Sequence, residues 1–165
     1  MPNYENNQSN NKISENAKIK NIEAVKLASN ITIAGDVVID NESLDSDQNF
    51  NIQIGKYTFI RSKTKIISPC HIGSFVIIGL NCAINSKLVG NRVIIEDNVE
   101  THQGSIIYDC CIIKRGSIIP PKYIIPPYSE VSGKPGENFL IKPLNNCYKE
   151  VIESEARKLN ILGSD

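Results

Sequence analysis

The chain has 165 residues, enough for one domain with a sizeable core, and its 41% hydrophobic and 22% charged content is that of a globular protein. Eighteen basic residues balance eighteen acidic ones, so the positive field that a nucleic-acid backbone demands is absent and no nucleic-acid partner is expected. Apolar runs such as Phe75 to Ile78 stop at about four residues, against the roughly 20 that span a bilayer, and the polar start MPNYENNQSNNK is unlike a signal peptide. A cytoplasmic protein without membrane insertion is the expectation.

Residues 1–25 cluster Asn, Gln, Ser, Glu and Lys, with too few large apolar groups to offset the entropy of ordering, and are expected to be a flexible Asn-rich segment. From residue 26 to 136 the chain turns rich in Ile and Val. Isoleucine occurs 28 times against 8 leucines, a β-branched excess that favours strands. Residues 137–165 read as a linker and a helix that packs on the rest. Pro143 can start that helix, and Leu144, Tyr148, Val151, Ile152, Leu159 and Leu162 recur at near-helical spacing.

The dominant signal in the middle segment is a six-residue period. Aliphatic residues stand at Ile54, Ile60, Ile66, Ile72, Ile78 and Ile84; one step of five leads to Val89; sixes then resume through Ile95, Thr101, Ile107, Ile113, Ile119, Ile125 and Val131. Only Thr101 is not aliphatic. Leu27, Ile33 and Ile39 keep the same step upstream of a break around Leu44 to Phe50. Four places after each aliphatic comes a small or β-branched residue, such as Thr58, Thr64, Cys70, Val76, Cys82, Val93 or Ser105, with Leu88 and Tyr123 as exceptions. Residues two apart on a strand share a face, so the small residue and the next aliphatic both point inward while the one between points out. Each six is then a strand and a corner, and three sixes close a coil stacked by parallel pairing on its neighbours. About six coils fit between residues 27 and 136.

This spacing resembles that of the hexapeptide-repeat proteins, which implies an all-β, left-handed parallel β-helix with a C-terminal α-helix. Members of that group include acyltransferases, γ-class carbonic anhydrases and noncatalytic scaffolds. Zinc chemistry of the carbonic anhydrase kind needs three imidazoles, but placing that pattern on Ile78 and Gly79 puts its ligands at Leu80, Asn85 and near Ile67, none of them His. Cys70, Cys82 and Cys111 fall on inward places of different sides and serve as reduced core filler, while Cys110 and Cys147 are free thiols. No metal and no cofactor are expected. An acyltransferase needs a histidine base, for which His102 is the candidate, and IPPYSEVSGKPG resembles the closing turn of acetyltransferases. The readings preferred for the two are a solvated surface histidine and a Pro/Gly stop to strand pairing.

A more specific resemblance begins at Asp109. The run Asp109, Cys110, Cys111, the paired prolines Pro120–Pro121 and Pro126–Pro127, then Tyr128, Ser132, Gly133, Pro135 and Gly136 is similar to the dynactin subunit 5 family, as are His71–Ile72–Gly73 and the five-residue step over AINSKLVG. The Arg-Gly-Asp usual early in such helices is replaced by Ser46, Asp47 and Gln48. The resemblance implies no enzyme activity, no catalytic residue and no cofactor. It implies instead a scaffold subunit of the dynactin pointed end, associated with the cytoskeleton, that supports dynein-driven transport along microtubules. Implied partners are dynactin subunit 6, the other pointed-end subunits, including the actin-related protein and a larger zinc-bearing subunit, and dynein adaptors or cargo. The acyltransferase alternative would be a homotrimer using His102.

For a scaffold the outward places matter. Phe59, Ile77, Ile94 and Ile112 are outward residues one coil apart and form an apolar stripe, the candidate interaction surface. Either a partner covers it or the C-terminal helix does, with Tyr148, Val151, Ile152 and Leu159. Ile106 and Ile124 form a smaller patch on a second side. The prolines blunt the C-terminal coil, so the N-terminal end or a lateral side is expected to meet the partner.

Overall fold

The computed structural model describes residues 4–6, 9–41 and 51–162. The chain winds into a left-handed parallel β-helix of about six triangular coils, closed by one C-terminal helix, α1 (Tyr148–Leu162). The first face stacks Lys12–Ser14, Thr32–Ile33, Phe59–Ile60, Ile77–Ile78, Ile94–Ile95, Ile112–Ile113 and Ser129–Ser132 in parallel. The second face runs from Lys18–Ile19 to Ile118–Ile119 and the third from Val25–Leu27 to Ile124–Ile125, six strands each. Each strand donates to the next coil, as Phe59 N–H does to Val76 O at 2.8 Å and Ile77 N–H to Val93 O at 2.9 Å.

The inward register is the one the period dictates. Ile60 pairs with Ile78, Ile78 with Ile95 and Ile95 with Ile113, and all four are fully buried. Thr58, Thr64, Cys70, Val76, Val93, Val99, Ser105 and Ser117 fill the small inward places. Three residues after most inward aliphatics the backbone turns with positive φ, at Tyr57, Lys63, Phe75, Asn81, Arg92, Asn98, Gly104, Cys110, Gly116, Lys122 and Tyr128. Such corners favour glycine, yet most carry full side chains, held by the stacked coils on either side. Gly55 is required for another reason: a Cβ there would lie 2.5 Å from the carbonyl carbon of Gly73 in the next coil.

Thr101, the one polar residue in the aliphatic series, is explained by the short repeat. Losing one residue before Val89 moves Ser86, not Leu88, to the small inward place, where it is fully buried. The Ser86 hydroxyl then lies 2.7 Å from Thr101 Oγ1 and 2.9 Å from Ser105 Oγ, and Asn85 N–H donates to Thr101 Oγ1 at 3.0 Å. The threonine satisfies a hydroxyl that the short step buries.

Two boundaries differ from the sequence reading. The β-helix begins at Lys12, not at residue 26: Lys12–Ser14, Lys18–Ile19 and Val25–Leu27 form the first coil, with Ile13 opposite Ile33, Ile19 opposite Ile39 and Leu27 opposite Ile54. Ile13 and Ile19 keep the six-residue step, but their polar neighbours point outward and mask it. Residues 12–25 are therefore a coil, not a flexible segment, and Tyr4–Asn6 adds an antiparallel strand beside Lys12–Ser14. At the other end Pro143 closes a strand, Leu140–Pro143, antiparallel to Ser129–Ser132, so α1 starts only at Tyr148. The break at Leu44 to Phe50 and the Ser46–Asp47–Gln48 place lie outside the described residues.

Two substitutions test the register. Ile78→Asp buries a carboxylate with no partner and is expected to abolish the cooperative thermal transition followed by circular dichroism. Thr101→Val, although it restores the aliphatic consensus, leaves Ser86 short of a partner and is expected to cost about 1–2 kcal/mol in denaturant titration.

Candidate interaction surfaces

The outward residues of the first face run Thr32, Phe59, Ile77, Ile94, Ile112 and Glu130. α1 lies along this face and reaches the first coil, where Lys12 Nζ donates to Asn160 O at 3.1 Å. Phe59 is fully buried and Ile77 nearly so, while Ile94 and Ile112 are half-buried. The chain's own helix thus occupies the first half of the candidate stripe, and Phe59 and Ile77 are not open to a partner while it is docked. The helix uses a narrower face than its leucine spacing suggests: Ile152, Ala156 and Asn160 are buried, whereas Tyr148 is 38% and Val151 54% exposed. Ala156 packs with Phe75 and Ile77, and its small side chain permits that close approach.

One flank of α1 is locked by charge and aromatic stacking. Tyr57 and Phe75, corner residues one coil apart, stack with centroids 5.6 Å apart and planes within 4°. The Arg157 guanidinium lies 4.9 Å from the Tyr57 ring and 5.0 Å from that of Phe75, and Arg92, the next corner along, lies 5.3 Å from Phe75. Glu153 bridges the two arginines at 3.5 Å each. Partial burial pushes the Glu153 carboxyl up, but Arg92 and Arg157 outweigh it and hold the group below the ordinary carboxylate value. The sequence reading missed this cluster. Its signal was the i, i+4 pair Glu153 and Arg157 beside a corner column of Tyr57, Phe75 and Arg92.

Along the other flank of α1 runs an open groove of about 400 Å³, lined by Arg61, Leu80, Ile94, Arg115, Glu155 and Leu159 among others. On the third face the outward series is Gln53, His71, Leu88, Ile106 and Ile124, polar at the start and aliphatic towards the C-terminal coil. The two ends of the β-helix differ as well. Phe139 and Ile141 pack onto the core beyond the last coil, with Phe139 edge-on to Tyr123 at 5.3 Å. At the N-terminal end Ile13, Ala17, Ile19 and Leu27 stay only partly buried. There Lys18–Ile19 and Val25–Leu27 are the outermost strands of their sheets.

The residues considered for chemistry are dispersed. The His102 side chain is 46% exposed and lies 3.5 Å from the equally solvated Glu100; His71 projects from a different face. Among the described residues no three His, Cys, Asp or Glu side chains are placed to hold a metal. All five cysteines are free thiols. Burial pushes the Cys70 thiol up to about 12 and the Cys111 thiol up to about 11, and Cys110 is buried at its corner.

A family model described as dynactin subunit 5 matches residues 2–159, that is, the β-helix and most of α1. The chain belongs to the dynactin subunit 5 family. No curated protein sequence matches it. Among solved structures it is similar to a hexapeptide transferase family protein from Anaplasma phagocytophilum, at 17% identity and a TM-score of 0.61 over 92% of this chain and 90% of that one. It is also similar to LpxA, a UDP-N-acetylglucosamine acyltransferase from Bacteroides fragilis, at 19% identity and a TM-score of 0.61 over 94% and 72%. A third is the GDP-perosamine N-acetyltransferase of Caulobacter crescentus, at 18% and 0.60 over 80% and 56%. At these identities the likeness is one of fold. Among the described residues no helix is long and apolar enough to cross a membrane.

The lock on α1 predicts an acid-sensitive helix. Because the Glu153 carboxyl is held low in the folded state, its contribution is complete above the ordinary carboxylate value and is lost as pH falls through the lowered one. Glu153→Gln should reduce amide protection of α1 at neutral pH by about 0.5–1 kcal/mol, as expected of a partly exposed pair, and remove the acid dependence, both read by hydrogen exchange. Native alkylation should modify Cys147, the exposed thiol, well before the other four, giving one early adduct by mass spectrometry.

Proposed function

We propose that this chain is a noncatalytic scaffold subunit of dynactin. In this reading it sits in the pointed-end complex, in the cytoplasm and on the cytoskeleton, and supports dynein-based transport on microtubules by binding adaptors or cargo. The observation that carries the reading is the family match over residues 2–159, which spans the coils and the helix together. The histidine required by the acyltransferase reading, His102, stands in solvent beside an exposed Glu100.

The asymmetry of the two ends supports the N-terminal coil as the place where dynactin subunit 6 docks. Phe139 and Ile141 already plug the C-terminal end, and exposed Pro121, Pro126 and Pro127 withhold backbone donors there. The first coil presents strand edges and a partly covered core, which invite a second β-structure. Ile22, 57% exposed on the turn Ile22–Ala24, stands at this end.

Light scattering of the purified chain, alone and mixed with dynactin subunit 6, is expected to show a monomer that forms a one-to-one complex. Ile22→Glu should weaken the complex without lowering the melting temperature. A homotrimer that ignores the sister subunit and binds an acyl carrier would overturn the proposal and make His102 the next target.

A further inference from the structure

We propose that the third face binds an amphipathic α-helix of a partner, laid along the β-helix axis, with carboxylates on its flank. Leu88, Ile106 and Ile124 are directly paired in register on successive coils and project outward, Ile124 being 56% exposed. Tyr108 and Tyr123 extend the patch, 40% and 38% exposed. Apart from Phe139, which meets Tyr123 edge-on, no described element is laid over it, whereas the equivalent ladder on the first face carries α1.

The charge around the ladder selects the partner. Along the corner leading into this face, exposed Lys87 and Lys122 stand two coils apart, with no ion pair among the described residues. Lys122 stands over Gly104, a position without a side chain, its Cγ 3.2 Å from where a Cβ would be, and Lys87, in the coil beyond Gly104, is one place nearer the ladder. A depression of about 480 Å³ lies beside this column, lined by Pro69, His71, Lys87, Leu88, Gln103 and Gly104. Over residues 68–74, 85–92, 102–110 and 120–128 the only acidic side chain is Asp109, and its Oδ1 already accepts Asn91 N–H at 2.8 Å. An acidic flank on the lysine edge would meet two positive charges, with Asp109, the one carboxylate of these stretches, at the corner on the far side of the strands.

The spacing selects a helix. Coils are stacked about 4.8 Å apart, close to the 5.4 Å pitch of an α-helix, so apolar residues at i, i+4 and i+7 fall over successive members of the ladder. The lysines, two coils and hence about 10 Å apart, match carboxylates at i and i+7. α1 shows this mode within the same chain, with Glu153 against Arg92 and Arg157, one turn later, against Phe75 and Tyr57. The proposal does not depend on the dynactin reading.

The test uses the full chain and two fluorescent helical peptides with leucines at i, i+4 and i+7, one flanked by glutamates and the other by lysines, followed by anisotropy. The glutamate peptide should bind, more weakly as salt rises, and the lysine peptide should not. Ile124→Glu should weaken binding at least about tenfold and Lys122→Glu by a few-fold, with melting unchanged, while Ile118→Glu on the second face has no effect. Equal binding of both peptides, no binding of either, or indifference to Ile124→Glu would overturn the proposal. So would sedimentation showing that the chain dimerises through Ile124, since a second copy would then be the occupant.

Discussion

A strand of two or three residues cannot stand alone, and almost every strand here is that short. What makes such strands viable is the vertical register: each backbone donor finds its acceptor only in the coil above or below, so every corner must return the chain to the same height on the prism. That demand places one aliphatic side chain over another through the whole stack. It also puts the corner backbone at positive φ, a conformation that glycine tolerates best and that Tyr57, Phe75 and Arg92 adopt only because neighbouring coils hold them.

The same stacking that builds the core builds the surfaces. A residue type repeated at an outward place becomes a ladder running along the axis. The three faces accordingly acquire different characters: apolar and roofed by α1 on the first, largely polar on the second with Lys20 and Lys65 flanking Asp40, and aliphatic with a basic edge on the third. Corner side chains form columns by the same rule. That rule is how Tyr57, Phe75 and Arg92 come to line up under Glu153 and Arg157.

Much of this was legible beforehand. The inward series from Ile54 to Val131 and the identity of the small inward residues follow from alternation alone, and the motif from Asp109 to Gly136 pointed to the family. Other features were not legible for identifiable reasons. The first coil was hidden because Lys and Asn at outward places around Ile13 and Ile19 lower local hydrophobicity without disturbing the inward side. Ser86 was overlooked because a one-residue deletion shifts which side chain points in. The buried face of α1 was misjudged in part because hydrophobicity favoured Tyr148 and Val151, which stay exposed, whereas Ile152 and Leu159 pack as expected and the close approach to Phe75 and Ile77 rewards the small Ala156.

By itself, then, the sequence determined the coil, since a six-residue period of β-branched residues has one economical way to bury one side while pairing every backbone group. It could not determine which outward ladder is free. The helix has apolar residues on more than one side, and the β-helix has two aliphatic ladders. Only the tertiary structure decided that α1 folds onto the first face, where the Arg92 corner can meet Glu153, and not onto the third. That choice depends on contacts between residues some sixty positions apart, and no local pattern contains them.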